Sequence, residues 1–318
     1  MHPFTKTFAD SVSSLGETRL ITAIRRWLGS ASPPSPRGIG DDCAVLPPNR
    51  RQQLITTDPV IYGRHFDDAI PPRAVGAKLL KRNLSDLAAM GARPTAAVIS
   101  LALDPRVKTR WLEDFYRGLA ATARSYSVPV VGGDVAQSDG FLGAFMTLCG
   151  ESAGPRVLLR SGARTGDGIY VTGTLGGSLL GRHWRFIPRL AEGAWLANRR
   201  EVHAMMDLSD GLAKDLPALT PAGATPAIEN GAVPISPAAR TMARSTRQTP
   251  LTHALCDGED YELVFAVAGR ANRAAFERAW KKRFPSTRLT CIGRFVPAGA
   301  CPPGSTDLTA YHGYEHLR

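Results

Sequence analysis

Aspartate recurs along this chain in one setting: at or just after a strand-like run, beside glycine, serine or threonine. GDD occupies 40–42, TTD 56–58, NLSDLAAMGA 83–92, GGD 132–134 and DLSDGL 207–212. A lone aspartate after a strand is commonly a turn residue or a helix N-cap. Five such motifs in a chain with few acidic residues exceed what capping explains. A carboxylate resists burial without a partner, and adjacent like charges repel. A divalent cation answers both demands. Mg²⁺ prefers carboxylate oxygens, keeps several waters and shares its sphere with substrate phosphates. Phosphoryl transfer asks for little covalent help; it needs bridged phosphate oxygens, in-line geometry and neutralised charge. Strand ends from several parts of the chain are therefore expected to build a metal–phosphate site.

The patterning between the motifs is that of alternating helices and strands. Leu20, Ile21, Ile24, Trp27 and Leu28 sit at helical spacing in 17–29. GDDCAVL and QQLITTDPVIYG read as strands. PPRAVGAKLLKRNLSDLAAMGA reads as a helix, with prolines in its first turn and Gly91 as its stop. TAAVISLALD reads as a buried strand, RWLEDFYRGLAATARSYS as an amphipathic helix, VPVVGGD as a strand end and GFLGAFMTLCGES as a strand. Beyond residue 154, IYVTGT, HAMMD, ELVFAVAG and RLTCIGRFV read as strands, and ANRAAFERAWKKRF as a helix. Residues 221–250, rich in Ala, Pro and Thr, carry no clear period. The 318-residue length fits two domains. The sequence predicts an α/β (α+β) fold in two parts, 17–153 and 154–318.

Composition narrows the partners. The net charge of +11 favours anionic ligands, and arginine supplies most of it, since the chain has seven lysines. No dense basic block, zinc-finger or RRM signature points to nucleic acid. Five scattered cysteines without a C-x-x-C pair imply neither a disulfide framework nor a zinc site. The N-terminus has no signal-peptide pattern, and no apolar run approaches the ~20 residues of a membrane span. A cytoplasmic protein that binds neither membrane nor nucleic acid is expected.

Local geometry sharpens the motifs. In an extended segment Asp42 shares a face with Ala44 and Leu46, and Asp41 points the other way. At most one of the adjacent pair therefore points into a given site. Asn83 and Asp86 share one face of a helix whose other face, Leu80, Leu84 and Leu87, packs. Ser209 is placed to cap a helix after Asp207, whose N-terminus faces a phosphate. Gly132 and Gly133 allow backbone to approach a ligand.

GIGDDCAVL, ITTDPVIYGRHF, NLSDLAAMGA, VVGGD, RSGARTGDGIYVTG, DLSDGL and GEDYELVF stand in the order seen in thiamine-monophosphate kinases. The chain resembles that family from about residue 17 to its end. The wider superfamily holds aminoimidazole ribonucleotide synthetase, selenophosphate synthetase and a hydrogenase maturation factor. The resemblance implies ATP-dependent phosphorylation of thiamine monophosphate to thiamine diphosphate, direct and in line, with several Mg²⁺ ions; it also allows a monovalent cation such as K⁺. By motif, Asp42, Thr56, Thr57, Asp58, Asp86, Asp134, Asp207 and Asp210 ligate metal. Tyr116, Gly133, Asp134, Arg160 and Ser209 hold ATP. His65, Glu259 and Tyr314 contact the acceptor, with no general base assigned. The family fold is a dimerising N-terminal sheet domain that binds ATP and Mg²⁺, followed by a C-terminal α/β domain that completes the substrate and ATP sites. A homodimer is implied. The departures are Val135 for the usual Thr, Asp257 for a Gly, Pro59 within TTDPVI, and a short 175–206 segment with RFIPRL as its basic part. The alternatives are a sister enzyme with another acceptor, or a nucleotide-binding homologue without catalysis. Against a sister enzyme, no N-terminal Cys motif is present and the chain ends YEHLR rather than in a cysteine tail.

Overall fold

The computed structural model describes residues 1–35, 37–39 and 44–315. The chain divides into two compact units. Unit 1 comprises 1–87 and 93–151; unit 2 comprises 88–92 and 152–318.

Unit 1 holds α1 (Gly16–Leu28), β1 (Gln53–Ile61), α2 (Pro72–Ala89), β2 (Ala92–Leu103), α3 (Thr109–Ser125), β3 (Val130–Gln137) and β4 (Leu142–Ser152). Its four strands lie in the order β1-β4-β2-β3, so β1 and β3 are the two edges. β1 runs antiparallel to β4 and β3 parallel to β2. Helix α2 forms where the sequence predicts it. Leu80, Leu84 and Leu87 are fully buried, and Gly91 ends the helix with φ +67°, its N–H donating to the Ala88 carbonyl. Pro59 lies on edge strand β1, where a missing N–H costs no central ladder bond.

Two expectations change. The described part of GDDCAVL, from Ala44 onward, is not a strand; Val45 and Leu46 are exposed, with no strand pairing among the described residues. Asp41 and Asp42 themselves lie outside the described residues. GGD does not end its strand: β3 runs on to Gln137, with Gly133 opposite Ile99 and Asp134 opposite Ser100.

Unit 2 holds β5 (Gly168–Thr172), α4 (Arg182–Arg185), α5 (Leu190–Ala197), β6 (Val202–Asp207), α6 (Leu212–Asp215), β7 (Ala224–Ile228), α7 (Pro237–Met242), α8 (Pro250–Cys256), β8 (Leu263–Val267), α9 (Arg273–Arg283) and β9 (Leu289–Pro297). The sheet order is β6-β8-β5-β9-β7, and its pairings are antiparallel. β5 and β8 read as unbroken apolar runs because both faces are covered. Ile169, Val171, Val264 and Ala266 pack with Leu212, Leu216 and Leu255 on one side. Tyr170, Phe265 and Val267 pack with Phe276 and Trp280 on the other. The segment 221–250, which has no readable period, supplies edge strand β7 and the short helix α7. No described helix is long and apolar enough to cross a membrane.

Candidate active site

In unit 1 the alternation of an extended strand separates the three residues of TTD. Leu54, Thr56, Asp58 and Val60 are more buried than Ile55 and Thr57. The Thr56 hydroxyl donates to Asp86 Oδ2 of α2 at 2.5 Å. Asp58 Oδ1 accepts from Arg82 Nη2 at 3.2 Å, and Arg82 Nη1 donates to the Pro59 carbonyl at 2.6 Å. Thr57 lies on the opposite face, its hydroxyl donating to the Met146 carbonyl at 2.9 Å. Asn83 Nδ2 donates to the Leu79 carbonyl at 2.9 Å, while its Oδ1 is buried with no hydrogen-bond partner among the described residues. A buried carbonyl oxygen left over on α2, one turn before the Asp86 carboxylate that meets the Thr56 hydroxyl, adds to a set of hard oxygen donors. That set fits Mg²⁺ rather than a softer metal.

His65 follows β1. Its Nδ1 accepts from the Ile61 N–H at 3.1 Å, and its carbonyl accepts from the buried Lys78 ammonium at 2.8 Å. The acceptor role at Nδ1 puts the ring proton of the neutral tautomer on Nε2, which makes Nε2 the donor.

The other half of unit 1's motifs lies across the sheet. A cavity of about 490 Å³ is lined by Ile21, Ile24 and Leu28 of α1, Tyr116 of α3, Ile99, and Gly132 to Val135. Tyr116 is buried there, and desolvation pushes its hydroxyl pKa above the usual value. Val135 makes this wall apolar where the family motif has a hydroxyl. Ile39, immediately before GDD, also lines the cavity. Asp134 is on β3 and Asp58 on β1, with two strands between them. Three strand spacings put them about 14 Å apart. Among the described residues no three His, Cys, Asp or Glu side chains lie close enough to hold a metal. Asp58 and Asp134 are thus not gathered in one place by the described part of unit 1.

Unit 2 gathers three motifs. The loop DLSDGL is zipped to GEDYEL through backbone. Leu208 N–H donates to the Glu262 carbonyl, Tyr261 N–H to Leu208, and Glu259 N–H to Ser209, at 2.8, 2.8 and 2.7 Å. Tyr314 joins them: its N–H donates to the Asp210 carbonyl at 2.9 Å, and Lys214 Nζ donates to the Tyr314 carbonyl at 2.5 Å. Lys214 also pairs with Asp210 at 2.9 Å. Glu259 and Tyr261 both adopt left-handed backbone, with φ of 50° and 51°. Each such residue costs of order 1–3 kcal/mol, a cost typical of functional loops.

Ser209 does not act as the predicted cap. Helix α6 is four residues long and has Gly211 at its N-cap, with no side-chain cap bond. Instead Asp215 reaches back from the end of α6, its Oδ2 accepting the Ser209 and Asp210 N–H groups at 3.0 Å each. Those two amides are therefore already committed and are not offered to a phosphate. Burial pushes the Asp215 carboxyl up to about 7, helped by the charges of Asp207 and Asp210. Asp207 itself ends β6 and is buried. Arg160 is exposed, one residue beyond Leu159, whose carbonyl accepts the Met205 N–H of β6 at 3.0 Å.

The short 175–206 segment supplies residues that sequence reasoning passed over. Arg189 forks onto Glu262 with two 2.7 Å bonds, Arg182 pairs with the same carboxylate, and the Thr172 hydroxyl donates to it at 2.6 Å. The signal was present: three acids in GEDYEL need cations, and RFIPRL lies in the same half of the chain. Asp257, standing where the family has glycine, accepts the Gly177 N–H at 2.7 Å and pairs with His253 at 2.9 Å. Asp260 accepts the Gly176 N–H at 2.9 Å, and burial pushes its carboxyl up to about 8.

Residues 40–151 match the model of the AIR synthase related protein, N-terminal domain. The thiamine-monophosphate kinase of Rhodopirellula baltica is 41% identical over 269 residues, covering 81% of this chain and 84% of the relative. The chain belongs to the thiamine-monophosphate kinase family. The Escherichia coli K12 kinase is 36% identical over 308 residues, covering 88% and 91% of the two chains. Among solved structures, the thiamine-monophosphate kinase of Stenotrophomonas maltophilia superposes with a TM-score of 0.76 at 31% identity, covering 90% of this chain and 97% of that one. AaThiL complexed with AMPPCP and TMP matches with a TM-score of 0.72 at 30% identity, over 98% and 100% of the two chains. Hydrogenase maturation protein HypE in complex with ATP, at 18% identity and a TM-score of 0.73, shares the fold. The two-part α/β architecture expected from the motifs is that of the kinase family.

Proposed function

We propose that this chain phosphorylates thiamine monophosphate to thiamine diphosphate with ATP, by direct in-line transfer and without a phosphoenzyme. One observation carries the reading: over nearly its whole length the chain matches a kinase-family structure complexed with AMPPCP and TMP, and its own acidic and acceptor motifs stand on the same fold. Transfer needs no base, since the attacking group is a phosphate oxygen that is already anionic at neutral pH.

The side chains divide by task. Tyr116, Gly133 and Asp134 border the 490 Å³ cavity and bind the nucleotide, with Arg160 and Ser209 on its phosphates. Arg160 carries the planar fork suited to a phosphate. His65 donates from Nε2 to the acceptor, Glu259 holds it, and Tyr314, 45% exposed, offers a ring face to a cationic thiazolium. Asp42, Thr56, Thr57, Asp58, Asp86, Asp134, Asp207 and Asp210 hold Mg²⁺, with Asn83 Oδ1 a further oxygen donor in the Asp58–Asp86 group; K⁺ is a further ion the site accommodates. These residues would hold Mg²⁺, which would supply neutralisation of the negative charge on the phosphates during transfer.

A homodimer belongs to the same proposal. One face of unit 1's sheet exposes Ile55 (73%), Val98 and Phe145, an apolar surface of the kind that marks association. A second copy sheet-to-sheet brings an edge bearing Asp58 towards an edge bearing Asp134, which a single chain holds apart. The test is ATP turnover with thiamine monophosphate, titrated with Mg²⁺ and read as thiamine diphosphate formed. Absence of that product at saturating Mg²⁺ refutes the reading.

A further inference from the structure

The segment 182–189 packs on the GEDYEL loop through four side chains. Arg182 and Arg189 both bind Glu262. His183 and Phe186 act further forward, on the part of the loop that carries Glu259. His183 Nδ1 lies 3.3 Å from Glu259 Oε2, and the Tyr261 hydroxyl donates to Glu259 Oε1 at 3.1 Å. Phe186 stacks on the Tyr261 ring, with centroids 4.0 Å apart and planes 20° from parallel. Both carboxylate oxygens of Glu259 are thus gripped, one directly by His183 and one by a tyrosine that Phe186 locks in place. His183, Phe186 and Tyr261 are all buried. The left-handed backbone at Glu259 and Tyr261 holds the two side chains on the same side of the loop as the segment that clamps them.

We infer that His183 and Tyr261 are positioning residues for the acceptor substrate: they aim the Glu259 carboxylate, and segment 182–189 is the clamp that sets affinity for thiamine monophosphate. The inference rests on the proposed contact between Glu259 and the acceptor. A carboxylate free to rotate must be ordered at each binding event, whereas one held at both oxygens is ordered beforehand. The clamp belongs to unit 2, whereas the residues that line the nucleotide cavity belong to unit 1, so its loss is expected to act on one substrate and not the other.

Steady-state kinetics on the full-length enzyme separate the possibilities. His183→Ala is expected to raise KM for thiamine monophosphate about tenfold, the size of a lost close imidazole–carboxylate contact. KM for ATP and the melting temperature stay near wild type, and His183→Gln, which retains a donor, recovers most of the loss. Tyr261→Phe removes only the hydroxyl on Oε1 and is expected to raise the same KM; it decides the matter if His183→Ala does not fold. Unchanged KM for thiamine monophosphate in the folded variants overturns the inference, as does an equal rise in both KM values with a fall in melting temperature. Glu259→Ala keeps the two claims apart. If it leaves KM for thiamine monophosphate unchanged, the contact itself is wrong. If it raises KM while His183→Ala and Tyr261→Phe do not, only the clamp is wrong.

Discussion

Replacing Gly313 with alanine places a methyl carbon 2.3 Å from the Asp210 carbonyl oxygen and 2.7 Å from Cβ of Lys214. The backbone at Gly313 is not left-handed, so the effect is steric and not conformational. The carbonyl belongs to DLSDGL, which is zipped to GEDYEL and cannot retreat. The tail must move instead, by about 1 Å to restore ordinary contact distance. Two bonds that dock the tail are then stretched: Tyr314 N–H to Asp210 at 2.9 Å and Lys214 to the Tyr314 carbonyl at 2.5 Å. At about 0.5–1.5 kcal/mol each, docking weakens by about 1–3 kcal/mol. That corresponds to roughly a 5- to 150-fold drop in the docked-to-undocked ratio. If Tyr314 stacks on the acceptor only when docked, KM for thiamine monophosphate rises by up to that factor in Gly313→Ala. The melting temperature barely changes, because the segment is largely exposed. Turnover assays at varied thiamine monophosphate measure the first quantity, and calorimetry the second. The decisive control is the double-mutant cycle with Tyr314→Ala. Once the ring is gone, the added methyl is expected to cost nothing more. A Gly313→Ala enzyme with wild-type KM, or full additivity in the cycle, refutes the reasoning.

Three further outcomes are expected. Thr56→Val keeps the side-chain shape and removes both a proposed oxygen donor and the hydroxyl that orients Asp86 Oδ2; the Mg²⁺ midpoint for turnover should rise at least about 10- to 100-fold, the loss expected for an oriented ligand that loses its support, with Mg²⁺ titration calorimetry moving in parallel. Ile55→Asp puts a charge on the exposed sheet face; sedimentation should show a monomer that retains its fold but loses turnover, and an active dimer would defeat the dimer proposal. Asp104 accepts four hydrogen bonds, three from Arg106 and one from Gly140, which hold its carboxyl well below the ordinary value of 3.8. A depressed carboxylate stabilises the fold above the ordinary value and loses that contribution as pH falls through the folded value. Asp104→Asn should therefore cost about 1–3 kcal/mol at pH 7 and flatten the acid loss of stability below about pH 4, read by urea unfolding at both pH values.

Much of the fold is written in short-range pattern. Leu80, Leu84 and Leu87 at helical spacing, the prolines before α2 and Gly91 after it specify that helix without reference to anything distant. The same holds for amphipathic α3 and for β1, whose alternation separates Thr56 from Thr57. Segment 221–250 was illegible because its strand and helix are brief and its apolar residues lack a period. Ser209 was misassigned as a cap because its sequence context is that of one. What displaced it was a carboxylate six residues on, bound to the Ser209 and Asp210 amides.

By itself, then, the amino-acid sequence determined most of the element types, the α/β class and the family, because periodicity, Gly and Pro placement and motif order are local properties of the chain. Tertiary structure alone decided which of those motifs meet. Strand order put Asp58 and Asp134 on opposite edges of one sheet. Long-range pairing brought Tyr314 to Asp210, and laid His183, Phe186 and Arg189 on GEDYEL. These contacts join residues up to about a hundred positions apart. They follow from how whole elements pack, and no spacing within a motif encodes them.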